Sequence, residues 1–290
     1  MDTLIPLVVA GVVRGSMYGI LASGFTLIYN STQVVNFAQG EFLMLGAMLM
    51  YALATAAGLP IFLSLVLALV GAILLGWFLK IGIVDPLMAR RAPIINIIIA
   101  TLAYGLVMSQ GSGAVIGKNR YAVPSLIDGP TLAEGSLRLN SQGLTIIVVT
   151  IAVTLGLWYF FSRTTTGLAI RAVGYNFDAA RGLGLNVSRL IAVTFVLSAA
   201  VSAVAGAMIA PITGASAYMG LGYGVKGFAA AIVGGIGNPF AAVLGGILVG
   251  TIESLGSYYL STAYGEALTY LALLITLMVR PTGLFAEEKA

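Results

Sequence analysis

The chain contains no cysteine and no histidine. Disulfide frameworks, thiolate chemistry, histidine metal sites and Ser-His-Asp triads are therefore excluded. Charge is scarce too: Asp, Glu, Lys and Arg make up 8% of the 290 residues, against roughly 25% in soluble domains. No basic n-region precedes the first apolar run, "MDTLIPLVVAGVV". That run is expected to stay as a membrane span rather than to act as a removable signal. Nucleotide-binding loops are missing as well. "GAVIGKN" (Gly113–Asn119) lacks one spacer residue of a Walker A loop and the Ser/Thr that would hold magnesium, and "GLGYG" lacks the strand–turn–helix context of a dinucleotide site. Any ATP that powers this protein must be held by another chain.

What is present is apolar. Hydrophobic residues make up 59% and the mean hydropathy is +1.03. So much apolar surface must face lipid, and a membrane helix needs about 20 mainly apolar residues. The windows that qualify are Leu4–Tyr29, Phe42–Ala57, Ile61–Val84, Ile94–Ile116, Leu144–Phe161 and Leu190–Pro211. A seventh region, Val225–Ser254, is interrupted by "GGIGNPF" and either crosses twice or re-enters; a short eighth follows at Ala267–Val279. The expected fold is an all-α polytopic membrane protein of about eight segments, one of them broken, in a single transmembrane domain over residues 1–290. A polar loop over 117–142, with turn signals at Val123-Pro124 and Asp128-Gly129-Pro130, interrupts the pattern.

Orientation follows from Lys and Arg beside the spans. Arg90, Arg91, Arg163, Arg171, Arg181, Arg189, Arg280 and Lys289 fall on one side; Lys118, Arg120, Arg138 and Lys226 fall on the other. The richer side is assigned to the cytoplasm, with the N-terminus outside and the C-terminus inside. Small residues recur every fourth position at Gly11, Gly15, Gly19 and Ser23, at Ser198, Ser202, Gly206 and Ala210, and at Gly246 and Gly250. Such stripes let backbones approach in lipid, either within one bundle or between subunits.

Polar groups at membrane depth are costly and informative. Lys80, near an inner end, is expected to reach the interface by its long stem. Arg14, about 15 Å along its helix, faces a cavity or partners an acid such as Glu253. "VVNFAQGEF" (Val34–Phe42) places Asn36, Gln39 and Glu41 where an apolar helix should start. It reads either as a capping box with a favourably placed acid or as a broken helix lining a route.

The segments "GSMYGILASGFTLIYNSTQVVNFAQGEFLMLGA", "GLAIRAVGYNFDAARGLGLNV", "KGFAAAIVGGIGNPFAAVLGGILVGTIES" and "VRPTGLF" together resemble the permease subunit of branched-chain amino-acid type ABC importers, whose relatives also carry urea, short amides and organic acids. The resemblance implies a fold similar to type II importer permeases in the bacterial inner membrane. It implies a second permease (a sister chain or another copy), two cytoplasmic ATPases that bind ATP and Mg, and a periplasmic binding protein. No cofactor and no catalysis are expected on this chain. The family often has His where Gln39 stands in "NFAQG"; Gln can hydrogen-bond but cannot titrate.

Within the cytoplasmic stretch over 162–189, Asp178-Ala179-Ala180-x3-Gly184 resembles the front half of the loop that docks importer permeases on their ATPases; its "I-x-LP" ending is missing. The docking residues are then Arg171, Phe177, Asp178, Ala179, Ala180, Arg181 and Gly184, with Phe177 and Leu183 as apolar anchors. Tyr18, Asn36, Gln39 and Glu253 are assigned to the translocation route. The competing class is an ion-coupled secondary transporter, for which only Glu41 and Glu253 stand as intramembrane acids.

Overall fold

The computed structural model describes residues 4–127, 132–134 and 137–285. The Asp128-Gly129-Pro130 turn and Lys289 lie outside the described residues. Twelve α-helices are described: α1 (Leu4–Thr32), α2 (Gln39–Met50), α3 (Ile61–Leu79), α4 (Asp85–Ala89), α5 (Ile94–Val115), α6 (Ser141–Arg163), α7 (Thr165–Tyr175), α8 (Phe177–Gly182), α9 (Val187–Thr213), α10 (Met219–Gly234), α11 (Pro239–Tyr259) and α12 (Thr262–Val279). Two π-helical stretches extend them, Tyr51–Ala56 after α2 and Lys80–Val84 between α3 and α4. One hairpin, β1 (Leu132–Glu134) with β2 (Leu137–Leu139), is antiparallel and pairs Ala133 with Arg138.

Among the described residues, six helical segments are long and apolar enough to cross a membrane: α1, the continuous Ile61–Ala89, α5, α6, α9 and α11. Helix α10 and the Tyr264–Val279 part of α12 are apolar but shorter. The all-helical polytopic expectation therefore holds.

The chain sorts its apolar residues by neighbour. Helices α3, α5 and α6 turn large side chains outward, among them Phe62, Val66, Leu74, Ile99, Val107, Ile151 and Leu155. Lipid is the medium that accepts such faces. Helix α2 is buried on every side, from Gln39 through Met48. A helix apolar all round is a bundle core.

The small-residue stripes explain how the centre closes. Helices α1 and α11 run antiparallel, and the stripe of one lies on the stripe of the other. A Cβ added at Gly15 would stand 2.6 Å from the carbonyl oxygen of Gly246 and from Cα of Ile247. The same superposition recurs at Gly11 against Thr251 and Gly19 against Val243. The stripe on α9 faces α1 and α2: Ser198 donates to the Gly24 carbonyl at 2.8 Å, and Gly206 lies on the Leu43 carbonyl. All three stripes thus serve packing inside one bundle.

The region Val225–Ser254 is broken at "GGIGNPF", as expected, and the break separates two helices. Helices α10 and α11 form an antiparallel hairpin about Gly235–Asn238, and α10 begins six residues earlier than that window. Asn238 caps α11 through Phe240 N–H at 2.9 Å. The "VRPTGLF" tail closes the same turn on its α10 side: Leu284 and Phe285 donate their N–H groups to the Val233 and Gly234 carbonyls at 2.9 and 3.1 Å. These are carbonyls that the last turn of α10 leaves without helical partners.

The Lys80 side chain does not extend into the open. It is 4% exposed, and its Nζ lies 2.7 Å from Asp85 Oδ2 and 2.7 Å from Ser188 Oγ. The π turn is the cause. Asp85 N–H bonds the Lys80 carbonyl five residues back, so the two side chains share a face that ordinary α geometry would stagger.

Candidate functional site

Helix α2 begins inside the bundle. After α1 ends at Thr32 the chain doubles back, and Gln39 meets α1 at Gly24, eight residues or about 12 Å before the α1 terminus. Its side chain is held on three points: Nε2 donates to Ser202 Oγ and, at 3.2 Å, to the Ser198 carbonyl, while Oε1 accepts from Ser198 Oγ at 2.8 Å. The capping box does not form. The residue before α2 is Ala38, which has no side chain to cap with. Asn36 Oδ1 accepts from Ala38 N–H at 3.1 Å, and Gln39 turns away toward α9. The geometry is that of a helix starting at membrane depth.

Helix α10 also starts inside. Its aromatic contacts with α1 run from Tyr18–Tyr223 (ring centroids 6.1 Å apart) to Phe25–Phe228 (5.7 Å), so its first turn lies level with the middle of α1. At about 24 Å it is shorter than the hydrocarbon core. The starts of α2 and α10 touch: Gly40 packs on the Gly220 carbonyl and on Gly224 Cα, and the Glu41 carboxylate rests against Gly220. Asn36 Nδ2 and Glu41 Oε2 are buried without a hydrogen-bond partner.

A cavity of about 620 Å³ opens beside these elements, lined by Arg14, Tyr18, Arg120, Asn140, Tyr223, Lys226 and Glu253 over an apolar floor that includes Val9, Val13, Ile209 and Ile212. A neighbouring space of about 310 Å³ shares Arg120, Tyr223 and Lys226 and adds Glu266 and Tyr270. Lys226 ties three helices together. From α10 its Nζ donates to Glu253 Oε1 of α11 at 2.8 Å and to Glu266 Oε1 of α12 at 2.9 Å, and it lies 5.8 Å from the Tyr18 ring centre. Glu253 is 5% exposed. An acid buried that deeply is stable as a charge only with such a partner.

Among the residues assigned from sequence to the route, Tyr18 and Glu253 line the large cavity, and Asn36 and Gln39 do not. Asn36 borders a small crevice with Thr32, Val84 and Thr101, and Gln39 is clamped between α1 and α9. Glu253 pairs with Lys226 rather than with Arg14, which faces the cavity instead. Lys226, Glu266, Arg120 and Asn140 were not assigned roles from sequence. One signal was available: between Arg189 and Arg280 the chain carries only Lys226, Glu253 and Glu266 as charges. Three lone charges in so apolar a stretch are stabilised by meeting.

The docking stretch forms a separate, surface unit. Thr164 caps α7 through Gly167 N–H at 3.0 Å, Asn176 caps α8 through Ala179 N–H at 2.9 Å, and Asn186 caps α9 through Arg189 N–H at 3.1 Å. Three Asn/Thr caps in one short stretch define its turns. Gly167, Ile170 and Val173 fix α7 to the bundle, and Ala180 alone anchors α8 by full burial. Arg171, Asp178, Ala179, Arg181, Leu183 and Gly184 are exposed and Phe177 is half-buried, with the Arg181 guanidinium 5.2 Å from its ring centre. Gly184 turns the chain with φ +81°, a conformation that glycine adopts without strain.

These features define a multi-span membrane permease, with interrupted helices around a polar cavity. A family model described as "Branched-chain amino acid transport system / permease component" matches residues 7–277, and the chain belongs to that family. It is 33% identical to the high-affinity branched-chain amino acid transport system permease protein LivH of Escherichia coli K12, over 96% of this chain and 94% of that one. It is 31% identical to the permease protein BraD of Pseudomonas aeruginosa, over 97% and 95%, and 32% identical to a probable LivH of Methanocaldococcus jannaschii, over 94% and 90%. Its fold is similar to a chain in the solved structure of PsaBC from Streptococcus pneumoniae in complex with Fab, with a TM-score of 0.50 and 12% identity over 94% of this chain and 91% of that one.

Proposed function

We propose that this chain is the membrane permease of an ATP-driven importer that carries branched-chain amino acids or related small polar solutes across a bacterial inner membrane. Partner ATPases bind ATP and Mg, a second permease completes the pathway, and a binding protein delivers the solute from outside. The N-terminus lies outside and the C-terminus in the cytoplasm. The chain performs no bond chemistry of its own.

The observation that carries ATPase coupling is the α7–α8 unit. It is capped at each turn, fixed to the bundle by Ile170 and Val173, and it exposes Asp178, Arg181 and Leu183 beside the half-buried Phe177. Gly174 presses on the Asn30 carbonyl at the end of α1, and Asn30 Nδ2 donates to the Gly237 carbonyl in the α10–α11 turn at 2.7 Å. Displacement of α7–α8 by a closing ATPase dimer therefore bears on the helices that border the cavity, and alternating access follows as these helices rock.

The test is purification in gentle detergent with mass spectrometry of co-purifying chains, paired with uptake by Asp178→Arg and Gly184→Pro. ATP-binding subunits should co-purify, and both variants should insert yet lose at least about tenfold in uptake, which corresponds to roughly 1.4 kcal/mol of coupling. Normal uptake by both variants would reject the docking assignment, and repeated absence of ATPases would favour an ion-coupled carrier.

A further inference from the structure

Lys80 is a buried cation for which packing alone gives no reason, since a methionine could fill the same space without desolvating a charge. What its ammonium does is join two segments. Nζ lies 2.7 Å from Asp85 Oδ2, at the start of α4, and 2.7 Å from Ser188 Oγ, in the first turn of α9. On the α9 side, Leu185 N–H donates to the Ala180 carbonyl at 3.1 Å and Asn186 caps α9. Helix α8 of the docking stretch and the first turn of α9 are thereby held as one piece. On the other side, Lys80 opens the π stretch, and Val84 at its end lines a crevice under the α1–α2 turn with Thr32, Val35 and Asn36. Phe195, two turns further along α9, lines the same crevice. The turn above it leads directly into α2. Single π turns within α-helices recur at functional sites, and this one sets Lys80 and Asp85 on one face.

We propose that Lys80 is a positioning residue of the coupling step: it ties the root of the docking stretch to the π stretch, so that displacement of α8 by a partner ATPase is carried to the α1–α2 turn. The inference rests on the docking reading above and adds a second route to the one through Gly174 and Asn30. That first route ends on α1 and the α10–α11 turn, whereas this one ends on α2. The two helices that start inside the bundle, α2 and α10, are then both reached from one docking event.

The experiment reads movement rather than transport, so it is independent of the solute. The chain has no cysteine. A bimane fluorophore can therefore be placed singly, through Gln33→Cys in the exposed α1–α2 turn or Gly182→Cys at the exposed end of α8. Each labelled permease is assembled with its ATPases in nanodiscs, and emission is compared without nucleotide and with ATP and vanadate. Both positions should respond when Lys80 and Ser188 are intact. Ser188→Ala should keep the Gly182 response and the rate of ATP hydrolysis but lose most of the Gln33 response, and Ser188→Thr, which keeps the hydroxyl, should retain it. Lys80→Met should behave as Ser188→Ala; Asp85, 34% exposed, is then left to water. Ser188 is itself exposed, so its variants serve if Lys80→Met does not assemble. A Gln33 response that persists in Ser188→Ala overturns the inference and leaves the docking reading standing. Loss of both responses in a variant that still hydrolyses ATP also overturns it, because Lys80 would then support the docking stretch rather than link it. A wild-type complex that hydrolyses ATP with no response at Gly182 rejects the docking reading, and the inference with it.

Discussion

Replacing Gly15 by alanine tests whether the α1–α11 stripe is the structural seam of the subunit. The added Cβ would lie 2.6 Å from Gly246 O and 2.6 Å from Ile247 Cα, both backbone atoms. Carbon contacts are comfortable at about 3.5–4.0 Å, so the two helices must separate by roughly 1 Å locally. No flexible side chain can give way instead. Immediately along the seam, Gly250 lies against Gly15 and Gly11, and Gly246 against Gly19. Separation at one point therefore loosens its neighbours. Overpacking of this kind costs about 1–3 kcal/mol.

Gly156→Ala is the matched control. Gly156 lies in α6 with nothing within 4 Å of an added Cβ, so alanine there gains about 0.5–1 kcal/mol of helix propensity. At about 2–4 °C per kcal/mol, Gly15→Ala should melt about 2–12 °C below wild type, and Gly156→Ala at or slightly above it. Thermal unfolding of the detergent-solubilised subunit, followed by tryptophan fluorescence and gel filtration, reads both. Parallel shifts for the two variants would refute the packing argument. So would a Gly15→Ala protein that keeps its melting temperature but changes oligomeric state, because the stripe would then be a subunit contact.

Two further outcomes follow from the buried polar groups. Lys226→Met should destabilise the subunit by about 3–5 kcal/mol, since it strands Glu253 as a buried unpaired charge; adding Glu253→Gln should recover much of the loss, and a double variant no more stable than the single would show that the pair is not the cause. Gln39→Leu should cost about 1–3 kcal/mol by leaving Ser198 and Ser202 without their shared partner, measured by the same melting assay. A wild-type melting temperature there would mean that the clamp does not hold α2 in place.

The fold was legible where the physics is local. Hydrophobic runs of span length, the Gly235–Asn238 break and the four-residue spacing of Gly11, Gly15 and Gly19 are properties of neighbouring residues, and each marks a real element. The partner of a stripe is different, because α1 and α11 meet over more than two hundred residues of intervening chain. The Lys226 triad was hidden for another reason: its members stand on three different helices and their spacing matches no motif. Lys80 differs for a subtler reason: its place near a span end suggests a stem that reaches outward, whereas a π turn rotates it inward onto Asp85. Around α2 the sequence offered two readings with nearly the same residues. Asn36 and Gln39 could cap a helix or line a break. What decides between them is a contact no local pattern encodes, the donors and acceptors of Ser198 and Ser202 that draw Gln39 away from its own helix start. The docking stretch lies at the other extreme. Thr164, Asn176 and Asn186 each cap the helix that follows within three residues, a local signal, although the sequence reading of this stretch extends only to a short helix and its glycine turn.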